Sequence, residues 1–274
     1  MIIQIDTDQI KNRFLLTDQN GNELGWGVNY FPDGQIQFWC QELQSRPNLT
    51  CSITNPYELD LFYQMNRTFR FKEVNILYLY GARSDKRRSG EKHVCNVGPL
   101  TLAMMELMVH ADECNILSPH CHTQWNLYEL GKPRFFIPDV LKNSKYTHWI
   151  FPDQSAYERF GNQVPEGVVY VIGDKKRDQE TGEIIEHVFN WPEGMERALV
   201  VDDLCDGGKT FLNIGGLAPA GILDLYVTHG VFSNNAFDKL HLMYGNIYCT
   251  NSYRREMGYG PVLFDVWEGK GWRN

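Results

Sequence analysis

Residues 197–210 read RALVVDDLCDGGKT, and this stretch decides the fold class of the chain. The apolar run ALVV ends in the adjacent acids Asp202 and Asp203, and a loop with two glycines then leads to Thr210. This order predicts a buried strand, a tight turn and the start of a helix. Open α/β sheets hold their ligands at the carboxyl ends of such strands. We therefore expect a ligand site at this point of the chain.

Apolar runs rich in β-forming residues recur on both sides of this stretch. In the first half, predicted strands at 74–80 and 114–118 flank a predicted helix at 98–111, which is the pattern of a parallel βαβ unit. In the second half, strands are predicted at 147–151, 167–173, 197–203 and 222–230, with a crossover helix before the last one. The predicted fold class is therefore α/β, with two domains at 1–143 and 144–274. Each is expected to hold a mainly parallel sheet flanked by helices.

The charge, apolar runs and cysteines of the chain argue against several classes of protein. The 274 residues include 26 basic and 34 acidic side chains, a net charge of −8, which argues against a broad nucleic-acid-binding face. No apolar run approaches the roughly 18 residues of a membrane helix, and the first residues lack an apolar leader core. The seven cysteines form no CxxC pair. We expect a cytoplasmic protein with reduced thiols and no membrane partner.

The residues at 202–210 suit a phosphorylated sugar. Adjacent carboxylates can accept hydrogen bonds from vicinal hydroxyls or bind a metal ion. The glycines at 207 and 208 let the backbone approach a phosphate, and a following helix supplies N–H groups and the positive end of its dipole. A charged strand end followed by a plain glycine turn is the alternative that the residues themselves leave open.

Seven segments resemble motifs of the ribose-phosphate diphosphokinase family, the phosphoribosyl-pyrophosphate (PRPP) synthetases, and occur in the family's order. They are FPDGQIQ (31–37), GARSDKR (81–87), LSPHCH (117–122), FPDQSAYER (151–159), GDKKR (173–177), DDLCDGGKT (202–210) and THGVFSNNA (228–236). The shared order is more specific than any one motif. The chain is thus similar to a divergent member of this family, and the resemblance implies two phosphoribosyltransferase-like domains, the first binding ATP.

The resemblance also implies roles for individual residues. ATP would be bound by Phe31, Asp33, Gln35, Arg83, Asp85 and Lys86. The ribose phosphate would be bound by Asp202, Asp203, Asp206, Gly207, Gly208, Lys209 and Thr210. Lys175 and Arg177 would be the catalytic residues, and Mg²⁺ would lie near His120 and Asp153. Without the resemblance, Phe31 reads as a loop aromatic, and Arg83 and Lys86 as a solvated charge run.

The implied reaction transfers the β,γ-diphosphate of ATP to the 1-hydroxyl of ribose 5-phosphate, giving PRPP and AMP. Lys209 stands where the family has a glycine, and Ser118 replaces an aspartate before His120. These departures keep two alternatives open. One is the same transfer to a larger acceptor such as ADP-ribose, which would serve NAD synthesis. The other is a non-catalytic relative that senses nucleotides.

The family also implies an assembly. In PRPP synthetases the loop that corresponds to FPDGQIQ (31–37) reaches the ATP site of a neighbouring subunit. We therefore expect a homo-oligomer in which the ATP site is shared between subunits. Its expected small-molecule partners are ATP and an acceptor that contains ribose 5-phosphate.

Overall fold

The structure is a computed structural model that describes residues 7–41, 46–83, 111–120, 131–177, 184–219, 222–255, 260–268 and 272. It divides into two compact units, and the division falls between Arg134 and Phe135. This point precedes the sequence-based boundary after residue 143. The reason is packing, because Ile137 and Leu141 are buried in the core of the second unit.

The first unit is built on a five-stranded sheet with the order β1-β4-β5-β6-β7. Its strands are β1 (Phe14–Thr17), β4 (Asn48–Ser52), β5 (Phe71–Tyr78), β6 (Ala111–Leu117) and β7 (Lys132–Arg134). The last four run parallel to one another, and β1 pairs antiparallel with β4 at the edge. The carboxyl ends of β5 and β6 therefore lie side by side at one edge of the sheet.

A hairpin and two helices accompany this sheet. They are α1 (Thr7–Lys11), β2 (Trp26–Tyr30), β3 (Ile36–Cys40) and α2 (Pro56–Thr68). Asn55 caps the start of α2, because its side chain accepts hydrogen bonds from the backbone N–H groups of Tyr57 and Glu58. Gln64 of α2 connects the helix to the hairpin by two hydrogen bonds. Its Oε1 accepts from the Phe38 backbone N–H, and its Nε2 donates to the Ile36 carbonyl.

The second unit holds a six-stranded sheet with the order β15-β14-β13-β12-β8-β9, parallel throughout. Its strands are β8 (His148–Phe151), β9 (Val169–Ile172), β12 (Arg197–Cys205), β13 (Ile222–Gly230), β14 (Ile247–Thr250) and β15 (Val262–Phe264). A separate antiparallel hairpin consists of β10 (Asp174–Arg177) and β11 (Ile184–Val188). The helices are α3 (Asp139–Lys142), α4 (Gln154–Phe160), α5 (Lys209–Leu217) and α6 (Ala236–His241).

Strand β12 is buried on both faces, as a central parallel strand must be. Leu199 and Val201 pack with Phe160 of α4 on one face. Ala198 and Val200 pack on the other face in the core that also includes Phe211 and Ile214 of α5. Side chains of a strand alternate between faces, so each residue near its carboxyl end is directed toward one helix or the other.

The predicted α/β fold class is confirmed. Observed strands cover all the predicted ones with shifts of a few residues at their ends, and α5 is the predicted crossover helix between β12 and β13. The helix predicted at 98–111 lies outside the described residues, apart from Ala111, which begins β6. Within the described residues, no helix has the length and apolar character needed to cross a membrane.

Candidate functional site

Three loops meet at the carboxyl edge of the six-stranded sheet. Strands β8, β12 and β13 are parallel neighbours, so the segments that follow them emerge at the same edge. These segments are residues 152–153, 206–208 and 231–235. Every feature of the site below belongs to the second unit, and its centre is the loop at 206–208.

The loop at 206–208 is shaped by Gly208, which lies at φ +75° and precedes the first residue of α5. A Cβ at this position would come within 3.2 Å of the Ala236 Cβ, so both the conformation and the space favour glycine. Glycine also has no side chain that could accept hydrogen bonds from the backbone N–H groups in the first turn of α5. The loop therefore directs backbone donors and the positive end of the helix dipole toward the sheet edge.

The segment at 231–235 is hydrogen-bonded to this loop and to the end of β12. The Ser233 hydroxyl donates to Asp206 Oδ1 at 2.6 Å, and the N–H groups of Val231 and Phe232 both donate to the Cys205 carbonyl. Phe232 has φ +48°, a left-handed conformation that costs energy for a bulky residue. The surrounding contacts hold it there, so this segment forms a fixed wall beside Asp206.

Lys175 reaches the same loop from the hairpin. Its Nζ lies 3.0 Å from Thr210 Oγ1 and 3.6 Å from Asp153 Oδ2, and its side chain is only 5% exposed. Asp153 is also the N-cap of α4, where its Oδ1 accepts from the backbone N–H of Ala156. The structure thus brings together Lys175, Asp153 and Thr210, three residues predicted from separate motifs.

The two acids of β12 differ in their surroundings. Asp203 is buried on the α4 side, where its Oδ1 lies 3.4 Å from Arg159 Nη2 and both side chains are at most 4% exposed. Asp202 is partly buried, and its Oδ1 accepts from the backbone N–H of Asp203. Asp203 is therefore held in an ion pair with Arg159, and Asp202 is the more accessible acid of the two.

Burial and the neighbouring charge of Asp203 raise the pKa of Asp202 well above its ordinary value. The positive charge of Arg159 opposes this rise in the pKa of Asp202, and the negative charge of Asp153 adds to it. Arg159 therefore limits the cost of gathering carboxylates at one sheet edge. This role could not be predicted from the sequence, because Arg159 reads there as an ordinary basic residue at the end of FPDQSAYER (151–159).

The remaining predicted residues of the second unit are described in part. Lys209 is the first residue of α5, and its side chain is exposed. Gly207 lies beside Ser233, whose Oγ would be 3.9 Å from an added Cβ. Arg177 is the last residue of β10, after a register shift in the hairpin between it and Lys176.

The predicted ATP-binding residues belong to the first unit. Phe31, Asp33 and Gln35 form the exposed turn between β2 and β3, closed by hydrogen bonds between the backbones of Phe31 and Gln35 and of Gly34 and Phe31. Arg83 follows β5 and His120 follows β6, so both lie at the carboxyl edge of the first sheet. Asp85 and Lys86 lie outside the described residues.

A metal site built from protein groups is absent from the described part of the chain, where no cluster of three or more Asp, Glu, His or Cys side chains could hold an ion. Mg²⁺ commonly takes one or two carboxylates and completes its shell with phosphates and water. Asp153 could supply such a carboxylate, because its side chain is 34% exposed and therefore accessible to an ion. His120 belongs to the other unit.

Comparison with known proteins supports the fold. No protein-family profile and no curated protein matches the chain. Among solved structures, the phosphoribosylpyrophosphate synthetase of Mycobacterium smegmatis is similar, with a TM-score of 0.66. The match covers 91% of this chain and 88% of that chain at 15% sequence identity. The chain has a PRPP synthetase-like fold.

The different surroundings of the two acids predict opposite effects on stability. Asp203→Asn should destabilise the protein, by up to about 3–5 kcal/mol, because it leaves the buried Arg159 without its anionic partner. Asp202→Asn should raise the melting temperature at neutral pH, because it removes a carboxylate whose ionised form burial disfavours.

The pH dependence of stability tests whether Asp202→Asn is stabilising for the stated reason. The folded-state pKa of Asp202 is raised, so its ionised form costs stability above that pKa, and the cost fades as pH falls through it. The stabilising effect of Asp202→Asn should therefore shrink toward acidic pH in thermal melts. Equal destabilisation by both variants would contradict the assignment.

Proposed function

We propose that this protein is an ATP-dependent diphosphokinase that transfers the β,γ-diphosphate of ATP to the 1-hydroxyl of ribose 5-phosphate. The observation that carries the proposal is the contact between Lys175 Nζ and Thr210 Oγ1 at 3.0 Å. It joins a buried cation on a hairpin to the first turn of α5, directly after the strand that bears Asp202. Two segments that resemble PRPP synthetase motifs and are distant in sequence thus meet beside the glycine loop at 206–208.

The acceptor would lie across the carboxyl edge of β12. Its 5-phosphate would bind the N–H groups of the loop at 206–208 and of the first turn of α5, whose glycine cap leaves room for an anion. Asp202, at the carboxyl end of β12, would accept hydrogen bonds from the ribose hydroxyls. Ser233 would keep the Asp206 carboxylate oriented beside the phosphate.

In the reaction, the oxygen of the 1-hydroxyl attacks the β-phosphorus of ATP, and the bond from that phosphorus to the α,β-bridging oxygen breaks. AMP leaves with the bridging oxygen, and the hydroxyl proton is released. The transfer needs positioned reactants and neutralised charge. Lys175 would stabilise the charge that develops on the transferring group. Arg177, on the same strand, would do the same.

Mg²⁺ is the expected cofactor, since ATP-dependent transfers use it to offset phosphate charge. Asp153 would be its protein ligand in the second unit. Lys175 lies 3.6 Å from the same carboxylate, so the metal-bound phosphates and the lysine would share one side of the site.

The first unit would bind ATP. Phe31 is 45% exposed at a hairpin tip, which is an accessible position for stacking on adenine, with Asp33 and Gln35 beside it. We further propose that this tip completes the ATP site of a neighbouring copy in a homo-oligomer, as the family resemblance implies.

One observation favours a larger acceptor, such as ADP-ribose, as the second candidate. Lys209 presents an exposed cation at the first position of α5, where the family's glycine has no side chain. A second phosphate next to the loop could pair with it. The overall transfer would be the same.

Wild-type protein with ATP, Mg²⁺ and ribose 5-phosphate should release AMP, and Lys175→Ala should lower kcat by about 10²–10³ with little change in the KM for ATP. The matched control is Lys176→Ala, because Lys176 is exposed and pairs with Glu186. Equal turnover in wild type and Lys175→Ala would refute the catalytic assignment. No AMP with either acceptor would leave the nucleotide-sensing alternative.

Phe31→Ala should raise the KM for ATP by about 5- to 100-fold, the range expected for loss of one stacking contact with a base. The melting temperature should not change, since the ring is exposed. Tyr57→Ala, which removes another exposed aromatic ring of the first unit, is the control. An active monomer in light scattering would contradict the shared site.

Lys209→Gly should decrease the preference for ADP-ribose over ribose 5-phosphate by about ten- to a hundredfold, because one charge-assisted hydrogen bond is lost. Lys209→Met should behave in the same way, since it keeps the stem and removes the charge. The measurement is kcat/KM for both acceptors. A constant ratio would exclude Lys209 as an acceptor determinant.

A further inference from the structure

The hairpin that carries Lys175 has a second contact with the loop after β8. His187 lies directly opposite Lys175 in the antiparallel register, so both side chains project from the same face of the hairpin. The buried imidazole of His187 places Nε2 2.8 Å from the Pro152 carbonyl oxygen. Because a carbonyl oxygen only accepts, Nε2 carries the hydrogen. His187 thus binds Pro152 while Lys175 contacts the next residue, Asp153.

The base of the hairpin also packs closely on this loop. A Cβ on Gly173 would lie 2.5 Å from the Phe189 ring and 2.6 Å from the Pro152 carbonyl oxygen, so glycine permits the approach. The His187 ring packs on Phe189 at a centroid distance of 4.4 Å, and Phe189 stacks on Trp191 at 4.7 Å. A row of three rings therefore supports the strand opposite Lys175.

The described stem of the hairpin holds Lys175 against Thr210 through its strand pairing, its ring packing and the hydrogen bond of His187. Placement of a charge before substrate binds removes an ordering cost from the reaction.

We propose that His187 is a positioning residue that holds Lys175 at the phosphate loop through its hydrogen bond to the Pro152 carbonyl. Its catalytic consequence rests on the proposed function, whereas the placement of Lys175 does not. A histidine that merely fills the core would stabilise the protein without controlling the accessibility of Lys175 in particular.

The first test measures placement and requires no activity. Wild type, His187→Phe and His187→Gln are treated briefly with an amine-acylating reagent, and labelling of Lys175 is compared with that of Lys176 by mass spectrometry. The side chains of these lysines are 5% and 63% exposed, so Lys175 should react far more slowly in wild type. His187→Phe keeps a ring but loses the N–H donor, and His187→Gln keeps a donor.

Labelling of Lys175 relative to Lys176 should rise about fivefold in His187→Phe, the effect of losing one hydrogen bond, and should stay within about twofold of wild type in His187→Gln. Thermal melts identify a variant that has unfolded, and His187→Met then replaces His187→Phe. An unchanged Lys175-to-Lys176 ratio in the folded variant without a donor would overturn the proposal.

The second test uses kinetics in two backgrounds. His187→Phe should lower kcat about five- to tenfold with the KM for ATP unchanged, and it should cause no further loss in Lys175→Ala. The same loss in both backgrounds would overturn the proposal, because His187 would then act independently of Lys175. A wild type that forms no AMP would refute the proposed function and leave the labelling result to decide the role of His187.

Discussion

The parallel pairing of β12 with β8 and β13 is the constraint on which the site depends. Parallel strands must be joined by crossovers, so their carboxyl ends align although the segments lie far apart in sequence. Residues 148–150 pair with 198–200, and 222–230 pair with 197–205. The loops that follow these three strands therefore meet at the same edge of the sheet, although each loop is short. Each loop contributes a different kind of group, a carboxylate, a glycine turn and a hydroxyl.

Charge balance at this edge is the second constraint. Asp202, Asp203 and Asp153 lie close enough to influence one another, and isolated buried carboxylates are costly. Arg159 offsets the charge of Asp203, and Lys175 lies beside Asp153. Arg159, which holds Asp203, is a partner that a reader of the sequence would treat as an ordinary basic residue.

Backbone conformation sets the shape of the loop at 206–208. Gly208 adopts a left-handed conformation against Ala236, and Phe232 is held in the same region without the freedom of glycine. Strained residues are retained where surrounding contacts determine them, often beside functional sites. Here the strained segment lies against Cys205 and Asp206 and forms one wall of the loop at 206–208.

Sequence by itself determined the α/β class, the main strands and the glycine turn before α5, because these depend on local patterns: apolar runs, strand ends with acids, and glycines at a turn. Lys175, Asp153 and Asp202 were also predicted from motifs. The tertiary structure decided which residues act together. Arg159 pairs with Asp203, Ser233 bonds Asp206, and His187 lies opposite Lys175. Those relations depend on strand register and on the face from which a side chain projects, and contacts of that kind between distant segments leave no periodic mark in the sequence.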